Sequence, residues 1–182
     1  MKISLYIILF LVTLLQADIK KDMFNFYENK KYEKVCNLGF SHFNQYTRDQ
    51  DFLMLYSFGC LYSDNIDRLT IPIGMLKYTK EARKNAAYFA AILLQKKLLY
   101  TALVDHYQLD SYKLPTTDYI LSKIFDYYTA LGKHTPRNFY LFDDPDNPKL
   151  NYKLYLQKSS KPYKMIIEEY YDTTLVKKHI YW

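Results

Sequence analysis

The sequence predicts a mostly α fold: antiparallel helical hairpins, then a small C-terminal α+β region of one helix and a two- or three-stranded antiparallel meander. Three observations carry this. From Ile19 to His106 apolar residues recur at helical spacing, and Pro72 is the one proline in that span. The polar clusters "ENKK", "TRDQD" and "SDNID" divide this run into segments joined too tightly for neighbouring helices to be anything but antiparallel. Beyond Asn151, "YKLYLQ", "PYKMIIEEYY" and "LVKKHIYW" are rich in β-branched and aromatic residues, alternate in part, and are separated by "KSSK" and "DTT".

The first 17 residues stand apart. "MKISLYIILFLVTLLQA" places Lys2 before an apolar core from Ile3 to Leu15, then a small residue, Ala17, before the polar "DIKKD". This is the pattern of a secretory signal peptide, cleaved after Ala17. The competing reading is a retained anchor, but a core of thirteen residues falls short of the roughly 20 that span a bilayer. No Cys follows the core to mark a bacterial lipid anchor. The expectation is a periplasmic or secreted protein without stable membrane insertion after cleavage, divided into a signal (1–17), a helical-hairpin domain (18–108) and a C-terminal helix plus β region (109–182).

At 182 residues the chain is long enough to bury a real core in one domain or two small ones. It carries 21 Tyr and 11 Phe, a bias that an A/T-rich genome also produces, so aromatic content alone identifies no ligand. Loss of Lys2 leaves 24 basic against 19 acidic residues. An exported protein rarely meets nucleic acid, and the basic groups "IKKD", "NKKYEK" and "QKK" are short and helical. They read as a solvated face, or as contacts to an acidic partner.

The polar breaks predict helices at about 19–28, 31–46 and 51–63. Cys36 and Cys60 then fall on adjacent antiparallel helices, equally far from "TRDQD". An even cysteine count in an oxidising compartment favours a disulfide over two buried small hydrophobes. "NAAYFAAILLQKKLLYTALV", Asn85 to Val104, is interrupted after nine apolar residues by Gln95, Lys96 and Lys97, which marks it as a central core helix and not a membrane span. Its paired alanines, Ala86, Ala87, Ala90 and Ala91, suit close approach of another helix. In "TTDYILSKIFDYYTALGKH", Ile120, Ile124, Tyr127, Tyr128 and Leu131 share a helical face, with Thr116 or Thr117 as the start cap and Gly132 as the stop. "TPRNFYLFDDPDNPKLN", with three prolines, reads as loop.

"YENKKYEKV" resembles the turn and second helix of a tetratricopeptide unit, with Asn29 where Gly is usual, Tyr32 at the aromatic position and Val35 at the small one. "FGCLY", Phe58 to Tyr62, resembles the Leu-Gly-x-x-Tyr element of Sel1-like units. The resemblance covers about residues 19–104 and implies two or three irregular hairpins with a non-catalytic surface for protein partners.

Catalytic signatures are missing from the sequence. His42, His106, His134 and His179 are scattered without metal-ligand spacing, the four glycines form no phosphate loop, and no Ser or Cys nucleophile motif occurs. "DDPDNP", Asp143 to Pro148, lacks the Gly and the terminal Glu of a calcium loop and reads as a turn. Glu168 and Glu169 are adjacent on a strand and point to opposite faces, so they cannot flank one glycosidic bond. The expectation is therefore no catalytic, cofactor-binding or metal site. Lys96, Lys97, Tyr170, Tyr171, Tyr181 and Trp182 are the candidates for partner contact, because Tyr and Trp bring large area with a polar handle. The function that this predicts is an exported adaptor or scaffold for a protein partner in an envelope assembly of motor or secretion type. The alternative is an envelope enzyme or enzyme inhibitor acting through the aromatic, carboxylate-rich C-terminal region.

Overall fold

A computed structural model describes residues 19–110, 112–159 and 161–182. The signal segment and its cleavage position after Ala17 lie outside the described residues. The chain divides into two compact units, 1–87 and 88–182. The boundary between these units falls within the long helix that spans Lys80–Asp105.

In the first unit, residues 19–28 are helical (α1), followed by Tyr32–His42 (α2), Gln50–Tyr62 (α3) and the short Thr70–Met75 (α4), with 3₁₀ turns at Phe43–Gln45 and Ile66–Leu69. The helix Lys80–Asp105 (α5) begins here. Asp49 stops the chain from entering α3 too early: its carboxylate accepts the Phe52 N–H at 3.0 Å and pairs with Lys20 at 2.7 Å. Cys36 and Cys60 are disulfide-bonded across α2 and α3, with Cα atoms 4.6 Å apart. The pairing of Cys36 with Cys60, Gly39 with Tyr56 and Val35 with Gly59 runs the two helices antiparallel. Glycine is required at the crossing: a Cβ on Gly59 would sit 2.6 Å from Val35 Cγ1. Gln50, buried, ties the later turn down by accepting the N–H groups of Lys77 and Tyr78 at 2.9 and 3.0 Å.

This corrects the expected fold class. Among the described residues there are six α-helices and a four-stranded antiparallel sheet, and no repeating hairpin array. The α2/α3 pair is followed by a 3₁₀ turn and a six-residue helix, not by a second copy. The Gly in "FGCLY" is the close-approach point of this one pair, which explains why it looked like a repeat signature.

The second unit holds the rest of α5, helix Ile120–Ala130 (α6) and strands Phe139–Asp143 (β1), Leu150–Gln157 (β2), Lys164–Tyr171 (β3) and Thr174–Tyr181 (β4), in the order β1-β2-β3-β4. The sheet has one strand more than the two or three expected. β1 lies inside the proline-rich stretch read as loop: its five residues alternate in burial, and Pro136 and Pro145 sit just outside it, where a missing N–H costs no ladder bond. The N-cap of α6 is Tyr119, and its side chain makes no cap bond; Thr117 instead accepts the Tyr119 N–H at 3.3 Å, and Thr116 donates to Asp126 at 2.7 Å. Gly132, with φ +62°, follows the helix end as expected.

α6 covers one face of the sheet. Tyr127 meets Phe142 and Tyr152, and Tyr128 meets Tyr140, at ring separations of 5.0–6.1 Å. Within the part of α5 that belongs to this unit the buried residues are Phe89, Ile92, Gln95, Lys96, Leu99, Ala102 and Leu103. α5 is long and apolar enough to cross a membrane by length and composition, as soluble core helices also are. Its polar residues are engaged by protein: Gln95 donates to the Pro115 carbonyl at 3.1 Å and accepts from Ser122, and Lys96 donates to the Trp182 carbonyl. The alanine seam is not the buried stripe, since Ala87 is exposed and Ala86, Ala90 and Ala91 are half-buried.

Candidate functional site

The register across the sheet decides which side chains share a face, because successive residues alternate. The rows Leu141–Lys153–Glu168–Lys178 and Phe139–Tyr155–Ile166–Ile180 lie on the face opposite the one that α6 covers. Tyr170, Lys164 and Trp182 belong to the same face by alternation. Ile166 at its centre is buried, and apolar area is exposed around it at Phe139, Leu141 (65 %) and Trp182 (53 %).

Glu168 is the polar centre of this face and only 8 % exposed. Tyr155 donates to one of its oxygens at 2.8 Å and Tyr170 to the other at 2.9 Å, while Lys178 stands 3.5 Å away. Burial alone would raise its pKa, but these three donors outweigh that and hold the carboxyl below its ordinary value. The same bond pushes the Tyr170 hydroxyl up. Both tyrosine rings and the carboxylate are thereby locked in place. The lysines are laid over rings: Lys153 lies 5.2 Å from the Phe139 centroid and 5.3 Å from that of Tyr155, and Lys164 lies 6.0 Å from that of Trp182. The face therefore presents three ammonium groups and a fixed aromatic and aliphatic surface around the bonded Glu168 carboxylate, with the exposed Asp143 at its edge in the row Asp143–Asn151–Tyr170.

The sequence-derived candidates divide. Tyr170 and Trp182 fall on this face. Tyr171, on the other side of β3, is exposed beside Lys149. Lys97 is exposed on α5. Lys96 and Tyr181 are only 2 % and 1 % exposed and offer no surface to a partner: the α5 stripe Phe89, Ile92, Lys96, Leu99, Leu103 has a helical period that carries Lys96 inward, and the β4 alternation turns Tyr181 towards Tyr119. Phe139 and Leu141 lie on β1, where the alternating "FYLFD" was the available signal, whereas Lys153 and Lys178 lie on expected strands, and only the register brings them to the same face.

Glu168 and Glu169 do point apart. Glu169 turns inward to His179 Nε2 at 2.8 Å, with His179 itself buried. In "DDPDNP", Asp144 accepts from Lys123 (2.7 Å), Tyr152 (3.0 Å) and the N–H groups of Asp146 and Asn147 (3.0 and 3.2 Å). Lys123 is the chief cause of an Asp144 pKa lowered to about 2. No group of three or more His, Cys, Asp or Glu side chains that could hold a metal occurs among the described residues. The concavities among the described residues include an apolar groove of about 360 Å³ in the first unit, lined by Phe24, Tyr27, Phe52, Met54, Leu55 and Phe58 among others, and in the second unit a more polar cavity of about 510 Å³ and an open one of about 380 Å³ beside Asp110, Lys113 and Asp126.

The fold and this face define a class: a disulfide-bonded chain with a helical unit and an α+β unit whose sheet leaves one aromatic, lysine-bearing face uncovered by α6. No family model, curated protein or solved structure matches the chain. The disulfide fits an oxidising compartment.

Proposed function

We propose that the protein is an exported, non-catalytic binding module, periplasmic or secreted after cleavage behind Ala17, that engages an acidic protein partner of the cell envelope through the outward face of its sheet. The observation that carries this reading is the exposure of Phe139, Leu141 and Trp182 on one face with Lys153, Lys164 and Lys178 among them. Clustered exposed apolar side chains on a soluble domain mark interaction sites, and aromatic residues bring large rigid area at low entropic cost. The lysines set the sign of the partner: they steer an acidic surface in and disfavour a basic one. The bonds to Glu168 fix the centre of the face before any partner arrives, which lowers the ordering cost of association.

The test is mild cross-linking in the native envelope followed by capture and mass spectrometry, with Leu141→Asp, Lys178→Glu and, as a control in the first unit, Lys31→Glu. A stoichiometric partner retained by Lys31→Glu and lost with both sheet variants is the expected result, with binding weakened by salt. Capture that is indifferent to Leu141→Asp and Lys178→Glu would overturn the reading.

A further inference from the structure

We propose that the cavity at the end of the sheet in the second unit is a binding site for the phosphate of a small phosphomonoester. It encloses about 510 Å³, the size of a pocket for a small organic ligand, and is lined by Leu103, His106, Pro136, Arg137, Asn138, Leu156 and Lys158. Its polar lining is one guanidinium, one ammonium, one imidazole and one amide, without a carboxylate. Among the described residues no ion pair engages Arg137, Lys158 or His106.

The strand register builds the site. Phe139 pairs with Tyr155, so the chain just before β1 runs beside the end of β2, and Arg137 and Asn138 come next to Leu156 and Lys158 although about 20 residues separate them in sequence. Arg137 is held there by a buried ring: its N–H donates to the Tyr140 hydroxyl at 3.2 Å and its guanidinium lies 5.8 Å from the Tyr140 centroid. A guanidinium seated on an aromatic keeps its fork of N–H donors in one plane, the geometry that takes two oxygens of a tetrahedral oxyanion. Lys158 adds a second positive charge and Asn138 an amide donor, together enough for a dianion. α5 ends at the Leu103–His106 wall, where its last carbonyls carry partial negative charge. The anion therefore belongs at the wall of Arg137, Asn138 and Lys158. Leu103, Pro136 and Leu156 give the ligand's organic part an apolar seat.

A soluble phosphate ester and a lipid headgroup both present this chemistry, and the experiment separates them. Titration calorimetry of the full chain with glycerol 3-phosphate, and co-sedimentation with vesicles of phosphatidylcholine alone or equimolar with phosphatidic acid, are run on the wild type, Arg137→Ala, Arg137→Lys, Lys158→Ala and Lys31→Ala. The expected result is binding weakened about tenfold or more by Arg137→Ala and by Lys158→Ala, weakened less by Arg137→Lys, and unchanged by Lys31→Ala in the first unit. This pattern with glycerol 3-phosphate identifies a soluble ligand, and the same pattern with phosphatidic acid vesicles alone identifies a headgroup. Circular dichroism of each variant establishes that the fold is kept. The absence of binding to either probe, or binding that survives in the Arg137→Ala/Lys158→Ala double variant, overturns the proposal.

Discussion

Asp144 shows how much one side chain holds. Its carboxylate closes the turn that follows β1 through two backbone N–H groups and ties α6 to the sheet through Lys123 and Tyr152. The folded pKa of about 2 lies below the ordinary 3.8, so its contribution is present above about pH 4 and is lost as the pH falls towards 2. Asp144→Asn should lower stability at neutral pH by about 1–2 kcal/mol, after allowance for the solvent around Lys123, and should flatten the acid limb of the stability profile. Urea unfolding at several pH values checks this, and an unchanged acid limb would count against the pairing. Gly59 acts by lacking a side chain: the Val35 contact predicts that Gly59→Ala costs about 1–3 kcal/mol, measurable as a shift of the urea midpoint at constant slope.

At the scale of elements, α5 sets Lys96 against Lys97. The two are adjacent in "QKK", but the roughly 100° step between successive helical residues puts Lys96 in the buried stripe and Lys97 in solvent. Lys96→Glu buries a carboxylate against the Trp182 carbonyl, which needs a donor and not a second acceptor, and should cost about 3–5 kcal/mol, whereas Lys97→Glu should change stability by roughly 0.5 kcal/mol or less. Thermal melts of both variants decide it, and equal effects would mean that the stripe has been misassigned. The α2/α3 pair is held by its disulfide across a sequence separation of 24. Cys36→Ser/Cys60→Ser should destabilise the protein by about 3–4 kcal/mol in the chain-entropy model. Chemical denaturation compared with the wild type under non-reducing conditions measures it.

For the whole molecule, the compartment is the testable property. Both cysteines are in the disulfide. Protein isolated from its native source with alkylation at lysis and then denatured should take up no maleimide before reduction and two equivalents after it. Thiols labelled at lysis would contradict export to an oxidising compartment, and mass spectrometry of the same sample reads whether the mature chain begins at Asp18.

The sequence by itself determined α1, α2 and α3 to within a few residues, the cysteine pair, the α6 helix and the strand character beyond Asn151, but not the short α4. Each of these depends on local periodicity, on punctuation by polar clusters, or on a parity argument about neighbouring helices. Tertiary structure alone decided that the apparent repeat is one close-packed pair, that "FYLFD" is an edge strand, and that Lys96 and Tyr181 face inward. It also decided that Arg137, Lys158 and His106 meet around one cavity. The physical reason is that burial, register and convergence are relations between segments far apart in the chain. A glycine reads the same in a repeat and at a single helix crossing, and a lysine's letter does not say which side of a helix its partners cover.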